Sequence, residues 1–179
     1  MSGNLLQNIT LEKSDKIIMW DFRFLQLCET VASWSKDPSR KIGSCIVDSR
    51  KRVVSVGYNG FPAGVADLDS RYQNRETKLL FVCHAERNAL DNSPVNVEDA
   101  TLYCTLFPCN ECVKSIIQRG IKKVVTFNPS NPRDLLFNFK VSRIMLSEAK
   151  VEVSEYFYND FERWKNGIHE GIYPLAAQE

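Results

Sequence analysis

His84, Glu86, Cys109 and Cys112 are the residues whose types and spacing could do chemistry together. They stand in two short stretches, Cys83-His84-Ala85-Glu86 and Pro108-Cys109-Asn110-Glu111-Cys112, with 24 residues between His84 and Cys109. One imidazole and two thiolates are ligands that Zn²⁺ prefers. Three protein ligands leave the fourth tetrahedral position open, the layout of a catalytic rather than a structural zinc. Water there has its pKa lowered towards roughly 7, which gives hydroxide near neutral pH. Glu86 lies two residues past the histidine, near the metal but free to move protons.

Other readings of these residues stand beside this one. A lone C-x-x-C also reads as a redox pair. A structural Cys₃His zinc would take its fourth ligand from Cys83, Cys104, Cys45 or Cys28. Shared ligation by Cys83 and His84 is awkward, because neighbours on a helix point roughly 100° apart. The structural reading also leaves Glu86 and Pro108 without a purpose.

The elements that must position these residues belong to a chain of 179 residues, the length of a single domain (1–179) with a sizeable core. Hydrophobic content of 44% and charged content of 25% are those of an ordinary soluble globular protein. A formal net charge of +1 gives no bulk reason to bind a polynucleotide, though a single phosphate is compatible with it. No apolar stretch is long enough to span a membrane. Six cysteines without a paired framework, behind a polar N-terminus, fit a reducing, cytoplasmic setting.

Residues 1–13 read as a loose arm. A helix from Ser14 or Asp15 to about Trp34 follows, with Ile17, Ile18, Phe22 and Leu25 among its apolar residues. Pro38 then breaks the chain in Ser35-Lys36-Asp37-Pro38-Ser39-Arg40, which by itself reads as a solvated turn before it reads as an anion-binding loop. Ile42–Val47 and Val53–Tyr58 read as an antiparallel strand pair. Glycines and a proline shape Gly57 to Gly64, where Asn59 offers a donor and an acceptor. Residues 65–80 read as an irregular flap. The remaining elements are a helix from about Cys83 to Leu90, a strand Thr101–Thr105, a helix Cys109–Arg119, a strand Lys122–Phe127, a helix over 133–149 with Phe139 and Ile144 among its anchors, and a short strand Val151–Val153. Residues 156–179 read as a packing helix or a tail beyond a core of about 15–155. The pattern predicts an α/β fold with a mixed sheet of about five strands and helices on both faces.

At this point the chain resembles the cytidine deaminase superfamily, whose H-x-E and P-C-x-x-C motifs it carries, and specifically the deoxycytidylate (dCMP) deaminase family. The resemblance rests on Ser35-Lys36-Asp37-Pro38, Ile42-Gly43-Ser44, Gly57-Tyr58-Asn59-Gly60-Phe61-Pro62-Ala63-Gly64, Cys83-His84-Ala85-Glu86-Arg87-Asn88-Ala89 and Leu106-Phe107-Pro108-Cys109-Asn110-Glu111-Cys112. The zinc motif is specific to the superfamily; the first and third of these stretches narrow it to the family. Arg87 and Ser44 depart from the usual family residues. Residues 65–80 hold no Cys or His for a second zinc.

The resemblance implies the three-layer cytidine deaminase-like fold, one catalytic zinc, and hydrolysis of dCMP to dUMP and ammonia for thymidylate synthesis. It implies activation by dCTP with Mg²⁺, inhibition by dTTP, and a homohexamer. Glu86 would shuttle protons, with Ala85 reading the base, Asn59 the sugar, and Ser35, Lys36 and Arg40 the 5′-phosphate. Gly60, Pro62, Gly64 and Asn88 are the residues assigned to an effector site. An aromatic stacking partner is expected near the end of the 122–127 strand, where this chain has Thr126 in the matching place with Phe127 beside it, so that the sequence does not assign the stacking residue. A deaminase of free (deoxy)cytidine and a nucleotide-binding zinc protein without turnover remain as alternatives.

Overall fold

Residues 43–47, Gly-Ser-Cys-Ile-Val, form a strand buried along its whole length, because it lies inside a sheet covered on both faces. In the computed structural model, residues 3–129, 138–169 and 171–172 are described, with side chains from Asp15 onward. The elements run α1 (Gly3–Ala32), β1 (Gly43–Val47), β2 (Val53–Tyr58), α2 (Asp69–Gln73), α3 (Arg75–Phe81), α4 (Ala85–Asp91), β3 (Thr101–Cys104), α5 (Asn110–Gln118), β4 (Lys123–Phe127), α6 (Phe139–Glu148), β5 (Glu152–Tyr156) and α7 (Tyr158–Lys165). The strand order is β2-β1-β3-β4-β5. β1 pairs antiparallel with β2 and β3, and the β3–β4 and β4–β5 pairs are parallel. This is the mixed five-stranded sheet expected.

Alternation along the strands divides the core. Cys45, Val47, Tyr103, Val125, Phe127 and Tyr156 pack with Phe22, Leu25 and Cys28 of α1 and Phe161 of α7. Ile46, Leu102, Cys104 and Val124 point the other way, towards Ala89 and Leu90 of α4, Val113 and Ile116 of α5, and Leu146 of α6. Helix, sheet and helix thus form three layers.

Two glycines set how closely the helices approach. A Cβ on Gly43 would lie 2.0 Å from the Cys28 carbonyl oxygen of α1. A Cβ on Gly57 would lie 2.3 Å from the Ala85 carbonyl oxygen and 2.3 Å from the Ala89 nitrogen of α4. Side chains at these positions would push the helices off the sheet.

Several boundaries differ from the expectations. Residues 3–13 continue α1 rather than forming a loose arm. The flap expected over 65–80 carries α2 and α3; Asn74 caps α3 by accepting from the Thr77 N–H at 2.9 Å, a start signal outweighed by the polarity of the stretch. Ile17 and Ile144, two of the helix anchors, are exposed at 54% and 48%. After β5 the chain packs back as α7, with Phe161 edge-on to Phe22 at 5.5 Å between ring centroids. The expectations for 130–137, 170 and 173–179 lie outside the described residues. No described helix is long and apolar enough to cross a membrane.

Candidate active site

Both parts of the metal motif lie at helix starts. His84 is the N-cap of α4 and Cys109 the N-cap of α5, each with extended backbone, and Cys112 follows within the first turn of α5. The reading that placed His84 and Cys109 within their helices is corrected: α4 starts two residues later than expected, at Ala85, and α5 one residue later, at Asn110. Cys83 is tied to Gly60 by a two-way backbone pair, at 2.8 and 3.1 Å, which holds the chain extended up to His84. Pro108 disfavours helical angles at the residue before it, so α5 starts after the proline.

His84 Nδ1 lies 3.3 Å from Cys109 Sγ and 3.4 Å from Cys112 Sγ, and the three donor atoms fall within 4.8 Å of one another. Tetrahedral zinc, with bonds of about 2.3 Å to sulfur and 2.0 Å to nitrogen, sets such donors about 3.5–3.8 Å apart. The two nitrogen–sulfur distances therefore fit this metal to within a few tenths of an ångström. No fourth His, Cys, Asp or Glu joins the group among the described residues. Cys28 and Cys45, two of the alternative ligands, have their sulfurs 3.5 Å apart in the other half of the core.

The three donor groups share charge and protons among themselves. Hydrogen bonds from Cys112 and then His84 hold the Cys109 thiol down to about 4, and the positive ends of two helices favour the same thiolate. The Cys109 hydrogen bond raises His84 to about 9. The Cys112 thiol is pushed well up, first by its bond to Cys109 and then by burial. Burial raises the Glu86 carboxyl to about 7 despite the opposing pull of His84. At 4% exposure in the first turn of α4, Glu86 is thus poised to hold or release a proton near neutrality.

A cavity of about 220 Å³ opens beside these groups. His84, Ala85, Glu86, Cys109, Leu106 and Phe107 form part of its wall, and Asp37, Ser39, Arg40, Asn59, Arg75 and Lys78 line it with polar groups. The cavity brings Glu86, Ala85, Asn59 and Arg40 together with two of the metal donors, His84 and Cys109. Ser35 and Lys36 are not in its wall, which corrects their place in that reading. The buried Ser35 hydroxyl donates to the Asn59 carbonyl at 2.7 Å, and Lys36 Nζ pairs with Asp67 at 2.6 Å on the surface.

Asn59 is itself heavily engaged. Its Oδ1 accepts from the Ile42 N–H at 2.8 Å, and its Nδ2 donates to the Arg40 carbonyl at 3.0 Å and to Asp37 Oδ2 at 3.3 Å. One lone pair of Oδ1 is left for a ligand hydroxyl. Gly60, Pro62, Gly64 and Asn88 stand outside the cavity wall; Asn88 donates to the Tyr58 carbonyl at 2.8 Å and so fastens α4 to β2.

Thr126 and Phe127 do not face this cavity. Thr126 is fully buried, and Phe127 packs on Phe161 at 5.0 Å in the α1/α7 half of the core. Phe107 is the aromatic in the wall, with Phe139 edge-on at 5.4 Å and the Arg143 guanidinium 4.0 Å from its ring centroid. Phe107, Arg75 and Lys78 were missed as site residues. Phe107 could have been found as the residue leading into Pro108-Cys109. Arg75 and Lys78 would have emerged had 75–81 been read as a helix, since residues three apart share a face.

Metal donors at the starts of two neighbouring helices, with a buried glutamate beside them, are the arrangement of the zinc-dependent deaminases. Residues 18–128 match the family model of the cytidine and deoxycytidylate deaminase zinc-binding region, and the chain belongs to that family. It is 42% identical over 142 residues to an uncharacterized deaminase of Aliivibrio fischeri, a match covering 77% of this chain and 94% of that one. It is 40% identical over 126 residues to the deoxycytidylate deaminase of Mus musculus, covering 67% and 71%. Among solved structures it is similar to the dCMP deaminase of cyanophage S-TIM5 in complex with dCMP and dUMP, with a TM-score of 0.59, 28% identity, and coverage of 74% and 93%.

Proposed function

We propose that this chain hydrolyses dCMP to dUMP and ammonia. The observation that carries the reading is Glu86, buried in the cavity wall two residues from His84, where a carboxyl can serve as both base and acid. Zinc, held by His84 Nδ1, Cys109 Sγ and Cys112 Sγ, would lower the pKa of a water to about 7 and so supply the nucleophile. Glu86 takes a proton from the attacking water and passes it to N3 of the cytosine ring as C4 becomes tetrahedral. Glu86 then takes the remaining proton of the C4 hydroxyl and hands it to the C4 amine; the C4–N bond breaks as the C4 carbonyl forms, and ammonia leaves. Such acid–base help is worth about 10²–10⁴-fold.

Ala85 is the first residue of α4, so its N–H lacks a partner within the helix and can read the base edge. Asn59 Oδ1 has one lone pair for a sugar hydroxyl, and Arg40 is a cation for the 5′-phosphate. The relatives named as deoxycytidylate deaminases, and the dCMP and dUMP held by the cyanophage enzyme, support this substrate. Supply of dUMP for thymidylate synthesis, control by dCTP with Mg²⁺ and by dTTP, a homohexamer and a cytoplasmic location complete the reading; the family likeness supports them, with Gly60, Pro62, Gly64 and Asn88 as effector residues.

Ammonia release from dCMP, deoxycytidine and a cytosine-containing oligonucleotide, with and without dCTP and Mg²⁺, tests the reading. Turnover confined to dCMP and stimulated by dCTP is the expected result. Preferential turnover of deoxycytidine would remove the phosphate from it. No turnover by zinc-replete protein would favour a nucleotide-binding relative.

A further inference from the structure

Two cations of α3 face the cavity, and their charges are used differently. Lys78 is 7% exposed, with its Nζ 2.9 Å from Asp37 Oδ1 and 3.1 Å from Ser39 Oγ. Its charge is neutralised inside the protein. Arg75 lies three residues earlier, on the same helix face. It lines the cavity and is exposed, and it makes no hydrogen bond or ion pair among the described residues.

A cytosine ring is uncharged at neutral pH, so its deamination does not call for a guanidinium at the cavity wall. A phosphate monoester, with a charge of about −1.5 to −2 near pH 7, does. The planar fork of arginine matches phosphate oxygens in pairs, and an exposed arginine needs no buried partner released before it can do so. We propose that Arg75 is a specificity-determining residue: its guanidinium reads the 5′-phosphate that distinguishes a deoxynucleotide from its nucleoside. This rests on the dCMP reading above. Lys78 is then a positioning residue, which fixes the 37–40 loop through Asp37 and Ser39, and Arg75 supplies the selective contact.

The test compares Arg75→Ala and Arg75→Lys with the wild type, by kcat/KM on dCMP and deoxycytidine and by calorimetric Kd for the same two compounds. Arg75→Ala is expected to lose about ten- to a hundredfold on dCMP, mostly in KM, the scale of one hydrogen bond to a charged group. Its loss on deoxycytidine should be at least tenfold smaller, and Arg75→Lys should recover part of the dCMP loss. Equal losses on both substrates, or a dCMP loss below twofold, overturn the proposal. A wild type that binds both compounds but turns over neither removes the proposed reaction alone. Arg75 is then read from Kd: a selective loss of dCMP affinity upholds its role, and an unchanged preference overturns it. A wild type that binds neither compound overturns both.

Discussion

Lys78 Nζ and Asp37 Oδ1 meet at 2.9 Å with both side chains nearly closed to solvent, joining α3 to the loop after α1 across 41 residues of sequence. Asp37 Oδ1 also accepts from the Ser39 N–H at 2.8 Å, and Oδ2 accepts from Asn59. One carboxylate thus organises the polar wall of the cavity. Removing one partner of a buried ion pair leaves the other charge uncompensated, at a cost of about 3–5 kcal/mol. Lys78→Met, which keeps the stem of the side chain, should lose that much in urea unfolding and raise KM for dCMP. A loss below about 1 kcal/mol, the range of surface pairs, would show that the pair is open to water.

Gly57 fixes the depth of α4. Gly57→Ala must move either β2 or the helix that bears Glu86 and follows His84, given 2.3 Å approaches to two backbone atoms. Overpacking of this kind costs about 1–3 kcal/mol. The fall in kcat should exceed what the loss of folded protein explains, because the displaced helix carries the proton shuttle. Activity per folded molecule equal to wild type would uncouple the helix position from the chemistry.

The aromatic wall can be tested by a matched pair. Phe107→Leu should raise KM for dCMP, since Phe107 lines the cavity. Phe127→Leu should reduce stability by about 1 kcal/mol with KM unchanged, since Phe127 packs under α7. Steady-state kinetics beside thermal unfolding separates them, and the reverse pattern would return the stacking role to the end of β4.

Much of this fold was legible because its signals are local. Short runs bounded by turn residues marked the strands, and the metal motif is two short stretches whose donor types speak for themselves. Placement across long separations was not. Nothing near Ser35 or Lys36 says that the hydroxyl turns to the Asn59 carbonyl, or that the ammonium turns to Asp67. The partner of Asp37 lies in a stretch whose polar composition hid two short helices. The stacking aromatic was left open for a related reason: alternation tells which residues share a face, but not which face meets the cavity.

Metal removal separates catalytic from structural zinc. Both halves of the core are built from buried apolar side chains that do not depend on the metal donors. Chelated protein should keep its far-UV circular dichroism, lose turnover, and unfold at a lower temperature, with zinc restoring activity. Collapse of the dichroism on chelation would mark the zinc as a structural one.

The most direct measurement is ammonia release from dCMP by Glu86→Gln beside wild type, with zinc content determined on both. Equal zinc in both proteins, dUMP and ammonia in equal amounts from wild type, and a loss of at least about 10²-fold in the variant are expected. Turnover by Glu86→Gln within tenfold of wild type, at equal zinc, would contradict the role of Glu86 as proton carrier.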